Sequence, residues 1–236
     1  MTDAPERESP AGHDLAPVAA RATVADRVYQ NLRQALVVGK FDPGQMLTIS
    51  SLARTFQTSH MPVREALRRL GAEGALEMRA NGSAYVPPVT RAALDDICRA
   101  RIALERLATQ QAVENITPAE LDALERLEAE HTATSHLQNV YEMLEKNRDF
   151  HFSIYAAAHS PVLYQLIDTL WLRYGPYMRM LSAHIAPKLA EGLHEPFMRG
   201  HRAIVEALRA GDPARAADMM QADIERTQKL LQELCE

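Results

Sequence analysis

The sequence predicts a mainly α-helical protein in two parts. A small unit of three helices and a two-stranded hairpin precedes a larger all-α helical bundle. Three observations carry this. Apolar residues recur at three- and four-residue steps along most of the chain. Asn81-Gly82, lying between the short runs Ala75–Arg79 and Ser83–Val86, is a strong hairpin turn signal. Pro87-Pro88 then interrupts both patterns, and no convincing strand pattern returns after Arg91.

The chain has 236 residues, 47% hydrophobic and 24% charged, which suits two modest globular domains. Residues 1–20 mix Pro, Gly, Asp, Glu and Ala without a period and are expected to be a disordered tail. The domains are expected at 21–86 and 92–236, with 87–91 as linker. The first thirty residues lack the apolar core of a signal peptide, and no stretch approaches the ~18 apolar residues of a spanning helix. Cys98 and Cys235 have no paired spacing, as in a reducing compartment. A cytoplasmic protein with no membrane partner is expected.

In chain order, the first helix is expected from about Thr23 to Val38, with Val24, Val28, Tyr29, Leu32, Ala35 and Leu36 inward and Gly39 as its stop. Phe41-Asp42-Pro43-Gly44 is a turn. A second helix follows over about Ser50–Phe56, capped by Ser50 or Thr48. The third helix is the stretch Thr58–Leu70, joined to it by a turn of two residues. Here Val63, Ala66, Leu67 and Leu70 form one apolar face, while Ser59, His60, Met61 and Arg64 are left outward at the helix start. Two helices joined this tightly, followed by a hairpin, have the form of a winged helix-turn-helix. Beyond the linker, helices are expected at about 91–114, 118–136, 139–158, 161–183, 197–210 and 213–234; Thr117-Pro118, Ser160-Pro161 and Asp212-Pro213 mark three of the starts.

The formal charge of −5 argues against a nucleic-acid partner until its distribution is resolved. Residues 21–90 hold nine Lys/Arg against five Asp/Glu (+4), residues 91–236 hold sixteen against twenty-two (−6), and residues 1–20 hold one against four (−3). The basic excess falls on the helix-turn-helix segment, which fits binding to double-stranded DNA.

Asp26–Val86 resembles the winged helix-turn-helix domain of the GntR family of bacterial transcription regulators. The turn Gly39–Gly44, the run Ser59–Leu67 (S-H-M-P-V-R-E-A-L) and the glycine-tipped Asn81-Gly82 carry the resemblance. The remainder is similar to the FadR-type ligand-binding domain of that family through Arg101–Glu105, Asn147–His151 and His201–Leu208. The resemblance implies a ligand-responsive regulator that binds a palindromic operator as a homodimer. Base edges would meet Ser59, His60, Met61 and Arg64; Ser50 and Arg54 would hold the backbone, and Asn81 and Gly82 would place the wing tip in or near the minor groove. At His60 and Met61 the family more often has Arg and Thr, so the reading edge departs from the common pattern.

In the second part, Asn147 and His151 share a helix face, His201 leads the stripe Ile204, Val205, Leu208, and Asp223 lies on an apolar face that requires a partner for it. The resemblance implies a divalent metal, zinc, nickel or manganese, held by Asn147, His151, His201 and Asp223; Asp223 stands where a His is usual. It also implies a small carboxylate metabolite as effector, with Arg101, Arg173 and Tyr174 as its contacts and Tyr177 beside them. Arg101 has an equal alternative in an i,i+4 pair with Glu105. Two rival readings exist: a helical domain used only for dimerisation, and a metalloenzyme built on the Glu-x-x-His spacings Glu128–His131 and Glu191–His194. With no nucleophile–base pair or phosphate-cradling loop in the sequence, no enzyme is expected.

Overall fold

A computed structural model describes residues 23–80, 82–134, 139–191 and 199–235. The expected tail at 1–20, Asn81 and His194 lie outside the described residues.

Helix α1 (Val24–Val37) opens on a capping box: Asp26 N–H donates to Thr23 Oγ1 at 3.1 Å, and Thr23 N–H donates to Asp26 Oδ2 at 2.9 Å. Its face of Val28, Tyr29, Leu32 and Leu36 packs on α3 (His60–Ala72), whose Val63, Ala66, Leu67 and Leu70 are completely buried. Between them, α2 (Ile49–Thr55) is capped by Thr48, so Ser50 is not the cap and stays exposed. The helix-turn-helix corner is closed by Gln57 at φ 50°.

The wing has one strand more than the expected two. Strands β1 (Met46–Leu47), β2 (Glu77–Met78) and β3 (Ala84–Tyr85) form an antiparallel sheet in the order β1-β3-β2. The Phe41–Gly44 turn brings the chain back beside Val86, where Gly44 N–H donates to Val86 O at 2.9 Å and Val86 N–H to Gln45 O at 3.0 Å. A two-residue strand is too short to show alternation in sequence.

The second domain comprises α4 (Arg91–Asn115), α5 (Pro118–Ala133), α6 (Val140–Ala157), α7 (Pro161–Ala190), α8 (Arg199–Arg209) and α9 (Pro213–Leu234). Helix α4 packs along α9 and α7, α5 against α6, and α8 against α9, around a core that includes Leu94, Leu124, Phe150, Ile154 and Ile167. Helix α7 runs past its expected end at 183, with Pro187 inside it. A proline within a helix costs ~3 kcal/mol. Buried Leu181 and Ile185 contribute ~1.5–3 kcal/mol each in the same turns and outweigh that cost.

Helix α7 also joins the domains. Asp168, Leu172, Gly175 and Arg179, spaced along one face, all meet the winged domain. Leu172 is 1% exposed and belongs to the winged domain's core. A Cβ on Gly175 would lie 2.2 Å from Leu36 O, and one on Gly39 would lie 2.5 Å from Arg179 N, so the two backbones touch.

Candidate functional site

The outward surface of α3 matches the sequence expectation. His60, Met61, Arg64 and Arg68 are exposed, Met61 at 66%. Ser59 is the N-cap but makes no side-chain capping bond, and Ser50 and Arg54 are exposed on α2. Gly82 sits at φ +81°, which its turn requires. Arg79, whose guanidinium carbon lies 4.5 Å from the centre of the Tyr85 ring, adds a wing cation that the sequence reading missed. Arg69 is structural instead: it pairs with Asp26 at 2.7 Å and stacks over Tyr29.

Within the bundle, α4, α5, α6, α7 and α9 enclose a cavity of about 250 Å³. One end is polar. His151 Nε2 lies 3.3 Å from His201 Nε2 and 3.4 Å from Asp223 Oδ2. Helix α6 supplies His151, α8 supplies His201 and α9 supplies Asp223, and these are the three groups among the described residues close enough to share one ion. Bonds of ~2.0–2.1 Å to a tetrahedral cation set ligand atoms about 3.3 Å apart, which the two separations from His151 Nε2 match. Asn147, one turn before His151, lines the same cavity and can add an oxygen donor.

Burial opposes charge on Asp223, but the His151 hydrogen bond and the two imidazoles hold its carboxyl well below the usual range. Burial likewise pushes His201 well down, against the pull of Asp223. Both effects leave the forms that ligate cations: carboxylate and neutral imidazole. Behind the triad, His151 Nδ1 lies 3.3 Å from Tyr155 Oη, and that hydroxyl donates to Glu105. With a cation in the site, the Tyr155 oxygen would accept from His151 Nδ1–H and leave the Nε2 lone pair free for the cation; without one, Nε2 carries the hydrogen that Asp223 accepts.

Arg101 lines the cavity at 4% exposure, and its alternative role is realised there. Its Nε and Nη2 donate to the two oxygens of Glu105 at 2.7 and 3.3 Å, and Trp171 Nε1 donates to the same carboxylate at 3.1 Å. This is a buried pair, not a surface one. The guanidinium is flanked by the Trp171 and Tyr174 rings at 4.6 and 4.5 Å. Tyr174 is in the cavity wall as expected. Arg173 is not: its side chain is exposed in the cleft between the domains beside Gly74, because successive residues of α7 point about 100° apart. Tyr177 faces that cleft too and donates to Thr90 O at 3.1 Å.

Two residues here take roles that the sequence reading did not give them. His131 lines the cavity, its ring 4.6 Å from that of His201 and its Nδ1 without a partner; burial, then His151, lowers its pKa to about 4. The Glu-x-x-His spacing flagged it, but Glu128 turns to Thr132 and Arg202, so the pair ligates nothing together. Gly200 leaves room for Asp223: a Cβ there would lie 2.2 Å from Asp223 Oδ1.

Comparison with known proteins identifies the two domains. Residues 24–86 match the family described as bacterial regulatory proteins, gntR family, and residues 96–226 match the FCD domain. The HTH-type transcriptional regulator McbR of Escherichia coli K12 is 32% identical over 203 residues, 84% of this chain and 90% of the relative. An uncharacterized HTH-type regulator, BphR of Paraburkholderia xenovorans, is 30% identical over 89% of this chain and 85% of its own. The solved structure of E. coli McbR/YncC superposes with a TM-score of 0.82 at 27% identity, covering 92% of this chain and all of that one.

Proposed function

The chain belongs to the GntR family of bacterial regulatory proteins and carries an FCD domain, and from that premise we propose that a metal-anchored effector in its bundle governs operator binding by a dimer. The fold and the relatives make it a transcriptional regulator that binds DNA. What supports the finer reading is one observation: the His151–His201–Asp223 cluster opens into a cavity whose wall, α7, is also the helix that docks the winged domain. One face of α7 gives Trp171, Tyr174, Met178 and Leu181 to the cavity; another gives Asp168, Leu172, Gly175 and Arg179 to the domain junction.

When bound, a divalent cation supplies a Lewis-acidic anchor for an effector carboxylate. The chain's own groups fix the donor atoms, exclude water with apolar walls, and pass any displacement of α7 to the winged domain. Effector control then requires unequal effector affinity for docked and displaced arrangements of that domain. For dimerisation, Leu107 on α4 and Val162 and Leu166 on α7 are large, exposed and apolar on adjacent helices, as an interface between copies requires. Two copies would read two half-sites about one turn of DNA apart.

The experiment combines metal analysis with operator binding. Purified protein is expected to hold close to one zinc, nickel or manganese ion per chain and His151→Ala to hold none; absence of metal from both rejects the anchor. Arg64→Ala is expected to weaken operator binding by ~1–3 kcal/mol or to lower the salt slope by about 1. No change in either rejects the recognition assignment.

A further inference from the structure

Positive charge in the cavity is left over at one end of its wall, away from the histidines. Arg101 is matched by Glu105, and Arg226 lies 3.0 Å from Asp223, the acidic side chain among the lining residues. Lys188, half-buried near the end of α7, also lines the cavity. Its ammonium lies 2.6 Å from His184 Nε2; an ammonium can only donate, so that imidazole accepts and is neutral. No carboxylate among the described residues lies within ion-pair distance of Lys188. From this we infer that the effector is an elongated dicarboxylate, with one carboxylate at the His151–His201–Asp223 cluster and the second at Lys188. The inference rests on the reading of the cavity as a metal-anchored effector site.

A divalent ion at the cluster and the Lys188 ammonium are two separate positive centres, and a short monoanion can engage only one of them. Attraction to an opposite charge is stronger at a half-buried ammonium than in bulk water. The helices set the span. Trp171 packs against His151 with ring centres 5.5 Å apart, and His184 follows Trp171 by thirteen residues of α7. Asp223 and Leu230, both in the lining, are separated by seven residues of α9. At 1.5 Å per residue these stretches put the two ends roughly 10–20 Å apart. An extended chain gains ~1.2 Å per bond, so a spacer of about six to ten methylenes joins them. Between the ends α7 presents Met178 and Leu181, and α6 presents Met143 and Leu144, all buried, which favours methylenes there. Tyr174 Oη and His131 Nδ1, both without a partner, are polar points on the same wall, so a hydroxyl or keto group on the spacer is compatible with it.

The test is calorimetric titration of the full chain, with and without equimolar zinc, using octanoate, succinate, suberate, sebacate and dodecanedioate. With zinc, at least one of the three long dicarboxylates is expected to bind about tenfold or more tightly than octanoate and succinate, the effect of one added hydrogen bond to a charged group. Lys188→Gln is expected to bring that dicarboxylate down to the affinity of octanoate and to leave octanoate within about twofold of its wild-type value. Long dicarboxylates that bind no better than octanoate or succinate overturn the inference and leave the effector site standing. So does a long dicarboxylate that binds more tightly but is indifferent to Lys188→Gln. Failure of all five ligands to bind, with and without zinc, overturns both.

Discussion

Arg33 of α1 and Asp168 of α7 meet across the domain boundary, with Arg33 Nη2 donating to Asp168 Oδ2 at 2.5 Å and to Asp168 O at 3.1 Å. The other carboxylate oxygen lies 3.5 Å from Arg148 Nη2, and Arg148 follows Asn147 on the cavity helix α6. On the far side, Arg33 Nε is 3.9 Å from Glu73, the C-cap of α3, which also accepts the Tyr29 hydroxyl at 2.7 Å. Alternating charges thus run from the cavity wall to the end of the recognition helix. Asp168→Asn is expected to weaken docking by about 1–2 kcal/mol, since it removes the acceptor shared by two guanidinium groups that are only partly exposed. Amide hydrogen exchange should accelerate across α1 and stay constant in α4 and α9; uniform exchange would show that the pair does not hold the domains together.

Gly175 gives the same boundary a steric test. Alanine in a helix interior ordinarily gains ~1 kcal/mol over glycine. Here its Cβ would meet the Leu36 carbonyl, a backbone atom that cannot rotate away. Overpacking of this kind costs ~1–3 kcal/mol, so Gly175→Ala is expected to lower the melting temperature or enlarge the radius measured by small-angle scattering. Gly71→Ala is the control, because its Cβ would meet only the flexible Met78 side chain, and it should be the milder change. Equal behaviour of the two variants would contradict the close backbone contact.

What could be read in advance follows from which physics is local. The recognition helix was legible because its apolar spacing, its start and its flanking turns all lie within about twenty residues. The members of the triad were noticed singly, as polar residues on apolar stripes, and only the resemblance to FadR-type domains implied that they form one set. Strand β1 was not legible, being defined by its pairing with Ala84 and Tyr85 and not by its own composition. The misplacement of Arg173 has a similar origin. Tyr174 and Arg173 are neighbours in sequence, and only helix rotation shows that one faces the cavity and the other the cleft. Gly200 and His131 gain their roles from residues on other helices, which no periodicity reports.

The Tyr155 hydroxyl contacts His151 from behind and is not one of the three groups of the proposed metal site. Loss of such a supporting hydrogen bond typically lowers metal affinity 10- to 100-fold. Tyr155→Phe keeps the buried ring and removes the oxygen that links His151 Nδ1 to Glu105. Zinc affinity, measured by competition with a chelator, is expected to fall by that factor while the fold and the operator affinity of metal-free protein are retained. Unchanged zinc affinity would make Tyr155 a packing residue only.

Cys98 lies on α4 one turn before Arg101, completely buried, and burial pushes its thiol up to about 11 against the opposing pull of Arg101. At pH 8 it is therefore both protonated and inaccessible, whereas Cys235 at the end of α9 is partly exposed. Iodoacetamide should modify Cys235 in the folded protein and reach Cys98 only in denaturant. The linkage has a definite sign. In the unfolded chain the thiol ionises near 9, in the folded chain near 11, so between those values the unfolded state binds fewer protons and stability falls as pH rises. Cys98→Ala removes that contribution. The stability difference between wild type and variant, measured in urea, should therefore shift against the wild type by about 2 kcal/mol between pH 8 and pH 11. A difference that stays constant over that range would mean that the thiol ionises alike in both states, and that the α4 face beside Arg101 is open to water.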